Sequence, residues 1–287
     1  MDRADLRPSF RGFAAFTTAL TGLLVALGVY TAATGSGLAC SAQWPLCSGG
    51  VLPQTLPDFV EWFHRLVAMV VGFFILGTAL WSWRVGGRAK LTATLALVLL
   101  PLQVSIGAVT VTLSGLIPGG YSPPTQAAHL LAALSIFTSL LLTTLFASDG
   151  DYASSSLRRT RLALFTAGGL LPISLLTSRV PLLFGYTPAA QAAFVLSSLA
   201  LFAALVAAAF WAGRSMPRLR TTLVPALVLV FAHLLLGRDL LIYSPTVRVA
   251  NAAIVVLAAA VVGLATWFAL RGEDEGTVSE SGFVGGD

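Results

Sequence analysis

The sequence predicts an all-α membrane protein of eight transmembrane helices, arranged as two four-helix bundles in parallel repeat. Three observations carry that expectation. Of the 287 residues 56% are hydrophobic and only 10% are charged, against roughly 25% charged in soluble domains. Eight segments reach the length of about 20 apolar residues that a helix needs to cross a bilayer. The basic residues cluster at alternate turns between those segments, as the charge rule for membrane topology requires.

The first span, about 12–33, follows Arg3, Arg7 and Arg11 and is too long for the apolar core of a signal peptide, with no small-residue cleavage site after it, so it is expected to be retained. The second, about 59–82, is followed by Arg84, Arg88 and Lys90 before the third, about 91–113. The fourth, about 126–147, precedes Arg158, Arg159 and Arg161. The fifth, about 161–178, is short and carries Pro172, and the sixth, about 190–212, precedes Arg214, Arg218 and Arg220. The seventh, about 221–242, runs through Arg238 and Asp239, and the eighth, about 247–270, ends at Arg271. Most of the 17 Lys and Arg thus lie on one side, which places both termini in the cytoplasm. The net charge of +5 is absorbed by this topology and calls for no nucleic-acid partner. The tail 273–287, opening Glu273-Asp274-Glu275, reads as disordered and solvated. Lys90 is the only lysine, a bias that suits a prokaryotic source.

The chain repeats itself. A shift of 130 residues lays Ala96-Leu-Val-Leu99 on Ala226-Leu-Val-Leu229, Gly107 on Gly237 and Gln103 on His233. The same shift superposes Trp81 on Trp211, Arg84 on Arg214, Arg88 on Arg218 and Lys90 on Arg220. Four crossings return the chain to its starting side, so the two copies are parallel, related by an axis along the membrane normal. The expected organisation is an N-terminal half over 1–150, a C-terminal half over 151–272 and the tail over 273–287. The copies differ in chemistry. Glu61 faces Gln191, His64 faces Phe194, Arg65 faces Val195, and with a shorter loop His129 faces Asn251. A single site of chemistry therefore belongs to the first half.

All three histidines, His64, His129 and His233, lie in apolar segments, where ionisable groups are costly and signal function. His64 and His129 enter their spans from the same face, each roughly 6–8 Å below the rim, so the two imidazoles can face one another. A neutral imidazole pair suits a heme iron in an apolar slot. Zinc would want further ligands, which Glu61 alone supplies poorly. Glu61 lies one turn before His64 on the same face, and reads either as a proton acceptor beside the bound group or as an interfacial carboxylate reaching water. Arg65 can hold Glu61 or pair with a propionate. His233 reads equally as an interhelical hydrogen-bonding group or as a ligand. Cys40 and Cys47, in the loop after the first span, face the oxidising side, where a disulfide persists, as a structural staple or as a redox-active pair.

Together these residues resemble the heme A synthase family of cytochrome oxidase assembly. The resemblance lies in Thr34-Gly-Ser-Gly-Leu-Ala-Cys40 with Trp44-Pro-Leu-Cys47, Glu61-Trp-Phe-His64-Arg65, Gln103-Val-Ser-Ile-Gly107-Ala-Val-Thr110-Val, and Ala128-His129-Leu before Ala132, and covers about residues 12–147. It implies two four-helix bundles and oxidation of the C8 methyl of heme O to the formyl of heme A through hydroxylation steps, with water as the oxygen source. It further implies His64 and His129 as ligands of the substrate heme, Glu61 as the catalytic carboxylate, and Cys40 and Cys47 as the outer-loop pair; Arg65 and Gln103 are the candidates to meet a propionate or to support the ligands. The implied partners are heme O, heme O synthase, terminal oxidase subunits and membrane lipid, with homo-oligomers compatible. Family members commonly hold a heme b between histidines of the sixth and eighth helices. Here those positions are Phe194 and Asn251, so a second two-histidine heme is not expected. The rival readings are a b-type cytochrome that only passes electrons, which has no use for Glu61, and a non-catalytic heme chaperone.

Overall fold

The computed structural model describes residues 3–40, 43, 47, 50, 52–114, 122–148, 156–213, 216–238, 240 and 242–271. The acidic tail 273–287, Arg214, Asp239, Trp44-Pro45-Leu46 and the side chains of Arg3 and Arg7 lie outside the described residues. Eight long helices follow in order: α1 Arg3–Ala33, α2 Leu56–Val85, α3 Gly87–Ser114, α4 Pro123–Phe146, α5 Ser156–Thr177, α6 Pro188–Ala212, α7 Pro217–Leu236 and α8 Pro245–Arg271. All eight are long and apolar enough to cross a membrane. The shortest, α7, has 20 residues, or roughly 30 Å at 1.5 Å per residue, which matches a bilayer core. The protein is an all-α, eight-span membrane protein, and among the described residues the only β geometry is the Cys47–Gly50 bridge.

Local sequence sets the helix ends. α2 opens with a capping box in which Thr55 accepts from the Asp58 amide and Asp58 accepts from the Thr55 amide, an arrangement worth about 1 kcal/mol. Proline occupies the first turn of α2, α4, α6 and α7, where its missing N–H costs nothing. Between α2 and α3 the chain reverses over Gly86 and Gly87, both at positive φ (76° and 62°), a conformation that side chains with a Cβ adopt only under strain. α7 ends earlier than the apolar run suggests. It stops at Leu236, with Gly237 as its cap, donating its N–H to the His233 carbonyl, so Arg238 and the residues after it belong to the connection and not to the span.

α1 through α4 close a ring in which each helix touches the next and α4 returns to α1, and α5 through α8 close a second ring in the same way. The rings join chiefly where α1 and, more lightly, α4 meet α6. Val25, Val29, Leu134, Phe137 and Leu141 there share one core with Leu199, Leu201 and Leu205. α4 and α6 are the most buried helices and α3 the least. Hydroxyl pairs fix three of the first ring's contacts: Thr17 with Thr78 (3.0 Å), Thr18 with Thr144 (3.2 Å) and Thr92 with Thr143 (2.8 Å). Each such interhelical bond in a membrane is worth roughly 0.6 kcal/mol. In the second ring Arg161 of α5 donates to the Ala269 and Leu270 carbonyls, satisfying groups that a helix end otherwise leaves open.

Candidate functional site

Glu61, His64, Gly28, Gln103, Gly107 and His129 gather at one end of the first ring, opposite the turn that holds Arg84, Arg88 and Lys90; this is the distal end. Glu61 is only 2% exposed, so it does not reach into water. Its Oε2 accepts the Cys40 amide at 2.6 Å, and its Oε1 is bonded to Arg65. The Glu-to-Arg order at i,i+4 is the favourable one along a helix. Arg65 also donates to the Gln43 carbonyl at 2.6 Å, so one guanidinium ties the carboxylate to the loop that follows α1.

That loop is closed by a disulfide between Cys40 and Cys47, whose Cα atoms lie 4.4 Å apart. Both cysteines are buried, and their sulfurs rest 3.6 and 3.8 Å from the Asp58 carbonyl in the first turn of α2. Closing a loop of this kind typically contributes about 2–4 kcal/mol. Its local consequence is to hold the Cys40 amide over Glu61.

His64 on α2 and His129 on α4 stand diagonally in the ring, each on a helix flanked by α1 and α3. Each imidazole rests edge-on against a glycine. His64 Cε1 lies 3.0 Å from where a Cβ on Gly28 of α1 would sit, and His129 Cε1 lies 3.1 Å from the same point on Gly107 of α3. Gln103 Nε2 is 3.2 Å from His129 Nε2. The Nδ1 atoms of both histidines and Oε1 of Gln103 are buried without a hydrogen-bond partner among the described residues. Buried polar atoms are normally paired, so these orphans are open to a bound group, as is His233 Nε2 in the second ring. Among the described residues no three His, Cys, Asp or Glu side chains group as a metal-ion set. Two imidazoles in an apolar interior are a donor set of the kind that suits an iron porphyrin.

Residues 55–177, which run from the Thr55 cap through α5 and contain Glu61, His64 and His129, match the family described as cytochrome oxidase assembly protein. The chain is 32% identical to heme A synthase of Bacillus licheniformis over 155 residues, 53% of this chain and 49% of that one. It is 33% identical to heme A synthase of Geobacillus kaustophilus over 159 residues, 53% of this chain and 48% of that one. It is also 38% identical to protoheme IX farnesyltransferase of Halobacterium salinarum over 138 residues, 46% of this chain and 30% of that one. This stretch of the chain is similar to heme A synthases and to the cytochrome oxidase assembly family. Its alignment spans about half the length of the heme A synthases it matches.

Against that family background the distal end of the second ring is a different environment. Phe194 of α6 is 1% exposed, and its ring lies where a Cβ on Gly237 would be, so the two are in direct contact. The ring meets His233 edge-on, with centroids 5.1 Å apart at 88°. His233 Nδ1 bonds to Asn251 Oδ1 at 2.7 Å, and Asn251 Nδ2 donates to the Tyr243 hydroxyl at 3.3 Å. Gln191 accepts from Arg238 at 3.1 Å. These side chains fill the interior with one another. Sequence reading missed Gly28, Tyr243 and Arg238 as members of these clusters. The only signal for Gly28 is a small residue inside an apolar run, and its meaning depends on how α1 crosses α2.

Proposed function

We propose that the chain is a heme A synthase that oxidises the C8 methyl of heme O to the formyl of heme A, with water as the oxygen source, releasing four protons and four electrons, the electrons passing to an external oxidant. His64 and His129 hold the substrate iron from opposite faces, and Glu61 accepts protons released as the methyl carbon is oxidised. The observation that carries the reading is the burial of Glu61 one helical turn from His64, with both oxygens oriented by named donors. A carboxylate with no chemical role would be costly at this depth. Positioning matters because a proton acceptor must stand within hydrogen-bond reach of the group it serves. The Cys40 amide and Arg65 provide that orientation, and the disulfide-closed loop keeps them in place.

The site takes one heme in the first ring, and the second ring is a degenerate copy retained as a packing partner. Phe194 and Asn251 in place of imidazoles, and the packed interior around His233, support that count. The distribution of the basic turns supports an orientation with both termini in the cytoplasm and the disulfide loop on the outer face. Heme O synthase is the proposed supplier of substrate. Two Halobacterium salinarum protoheme IX farnesyltransferases align with this chain over only 30% and 28% of their own length, so a segment like this one shares a chain with further sequence there.

The test is production of heme A in a membrane that contains a heme O source. The wild-type chain is expected to yield it and the Glu61→Gln chain, with heme still bound, is not. A wild-type protein that binds heme through both histidines yet yields no heme A is a b-type cytochrome or a heme carrier, and the proposal fails.

A further inference from the structure

We infer that Gly28 and Gly107 are positioning residues for the two axial histidines, each setting the place and rotation of one imidazole by offering it bare helix backbone. This rests on the assignment of His64 and His129 as heme ligands. The two seats are built alike on different helices. Cε1 of His64 is 3.0 Å, Nε2 3.6 Å and Nδ1 3.8 Å from the Cβ position of Gly28; for His129 and Gly107 the nearest approach is again Cε1, at 3.1 Å, followed by Nδ1 at 3.6 Å and Nε2 at 3.9 Å. In both cases the only atoms that close to the glycine are those of the imidazole. Other glycines of the same helices behave differently. Gly12 of α1 has nothing within 4 Å of its Cβ position, and Gly22 meets only Phe137.

Glycine is a poor choice inside a helix, where alanine is preferred on intrinsic grounds, so its presence at both seats needs a local reason. Small residues at interfaces in membranes let a neighbouring group approach the helix closely, and here that group is the imidazole ring in each case. A methyl group at either seat would push Cε1 outward by a few tenths of an ångström, at the edge of the roughly 0.5 Å tolerance of a working site. The rotation of each ring about its bond to iron would shift as well. The angle between two axial imidazole planes governs the splitting of the iron d orbitals, so the ferric low-spin resonance reports it directly.

The experiment compares purified full-length Gly28→Ala, Gly107→Ala, Gly12→Ala and His64→Ala proteins by heme titration and by electron paramagnetic resonance of the ferric form. Gly28→Ala and Gly107→Ala are expected to bind heme about tenfold more weakly, the usual scale for losing a group that orients a metal ligand, and to shift the low-spin g values. Gly12→Ala is expected to match the wild type. A second pair guards against a simple folding defect. His64→Gly supplemented with free imidazole should regain the low-spin signal, and Gly28→Ala combined with His64→Gly should regain it equally, because an untethered ring can move away from the added methyl. Wild-type affinity and g values in Gly28→Ala and Gly107→Ala, with the low-spin signal lost in His64→Ala, would overturn the inference and leave the ligand assignment standing. Failure of imidazole to restore the combined variant to the level of His64→Gly would also overturn it. An unchanged low-spin signal in His64→Ala would remove the ligand assignment, and the inference with it.

Discussion

Helices α1–α4 and α5–α8 close the same kind of ring, yet their distal ends are filled in opposite ways. In the first ring two imidazoles stand diagonally against Gly28 and Gly107, and their Nδ1 atoms and Gln103 Oε1 find no partner. In the second, Gly237 keeps the place that the repeat assigns to Gly107 but receives the Phe194 ring, and His233 bonds to Asn251. A glycine seat is therefore neutral about its occupant. His233 Nε2 is also buried without a partner among the described residues, so what distinguishes the two ends is what fills them: two imidazoles in the first, and one imidazole met by Phe194 and Asn251 in the second. On the carboxylate side the difference is one of charge, because both groups are paired: Glu61 is held by Arg65 and the Cys40 amide, whereas the neutral Gln191 is met by Arg238 just past the end of α7.

The largest effect that can break this contrast is loss of the ligands. His64→Ala and His129→Ala should each abolish the low-spin heme spectrum of the purified protein, and an unchanged spectrum in both would make the two rings equivalent. Next comes Glu61→Gln, which should keep bound heme while lowering conversion of heme O by about 10²–10⁴-fold, the range for losing a general base; heme A yield in cells, set against heme content, measures it. Replacing Cys40 and Cys47 by serine should lower stability by about 2–4 kcal/mol and reduce conversion further than heme content, since the Cys40 amide then leaves Glu61. Thermal unfolding read beside product yield separates the two. The smallest effect belongs to the second ring. His233→Ala should cost roughly 0.6 kcal/mol, the average for an interhelical hydrogen bond in a membrane, and leave the heme spectrum unchanged.

Much of this was legible in the sequence because a bilayer imposes simple rules on length and charge. The apolar runs located all eight helices, and the disulfide between Cys40 and Cys47 is present; the Thr55–Asp58 capping box that opens α2 ahead of the apolar run was not read from the sequence. The end of α7 was not legible, because Leu240 and Ile242 extend the apolar run past the helix that stops at Leu236. Gly28 was hidden for a different reason. It becomes meaningful only when α1 crosses α2 so that position 28 meets position 64, and no local pattern encodes a crossing. The His233–Asn251–Tyr243 chain was hidden likewise, since its members lie on α7, on α8 and in the connection between them, at spacings that no helical period predicts.

The central claim is that one ring holds heme and the other is filled by its own side chains. Heme extracted from the purified protein and quantified against chain concentration tests it most directly, in the wild type and in His233→Ala. The account predicts a ratio near one heme per chain in both. A ratio near two that falls to one when His233 is replaced would contradict it, and would make His233 a ligand in a second site.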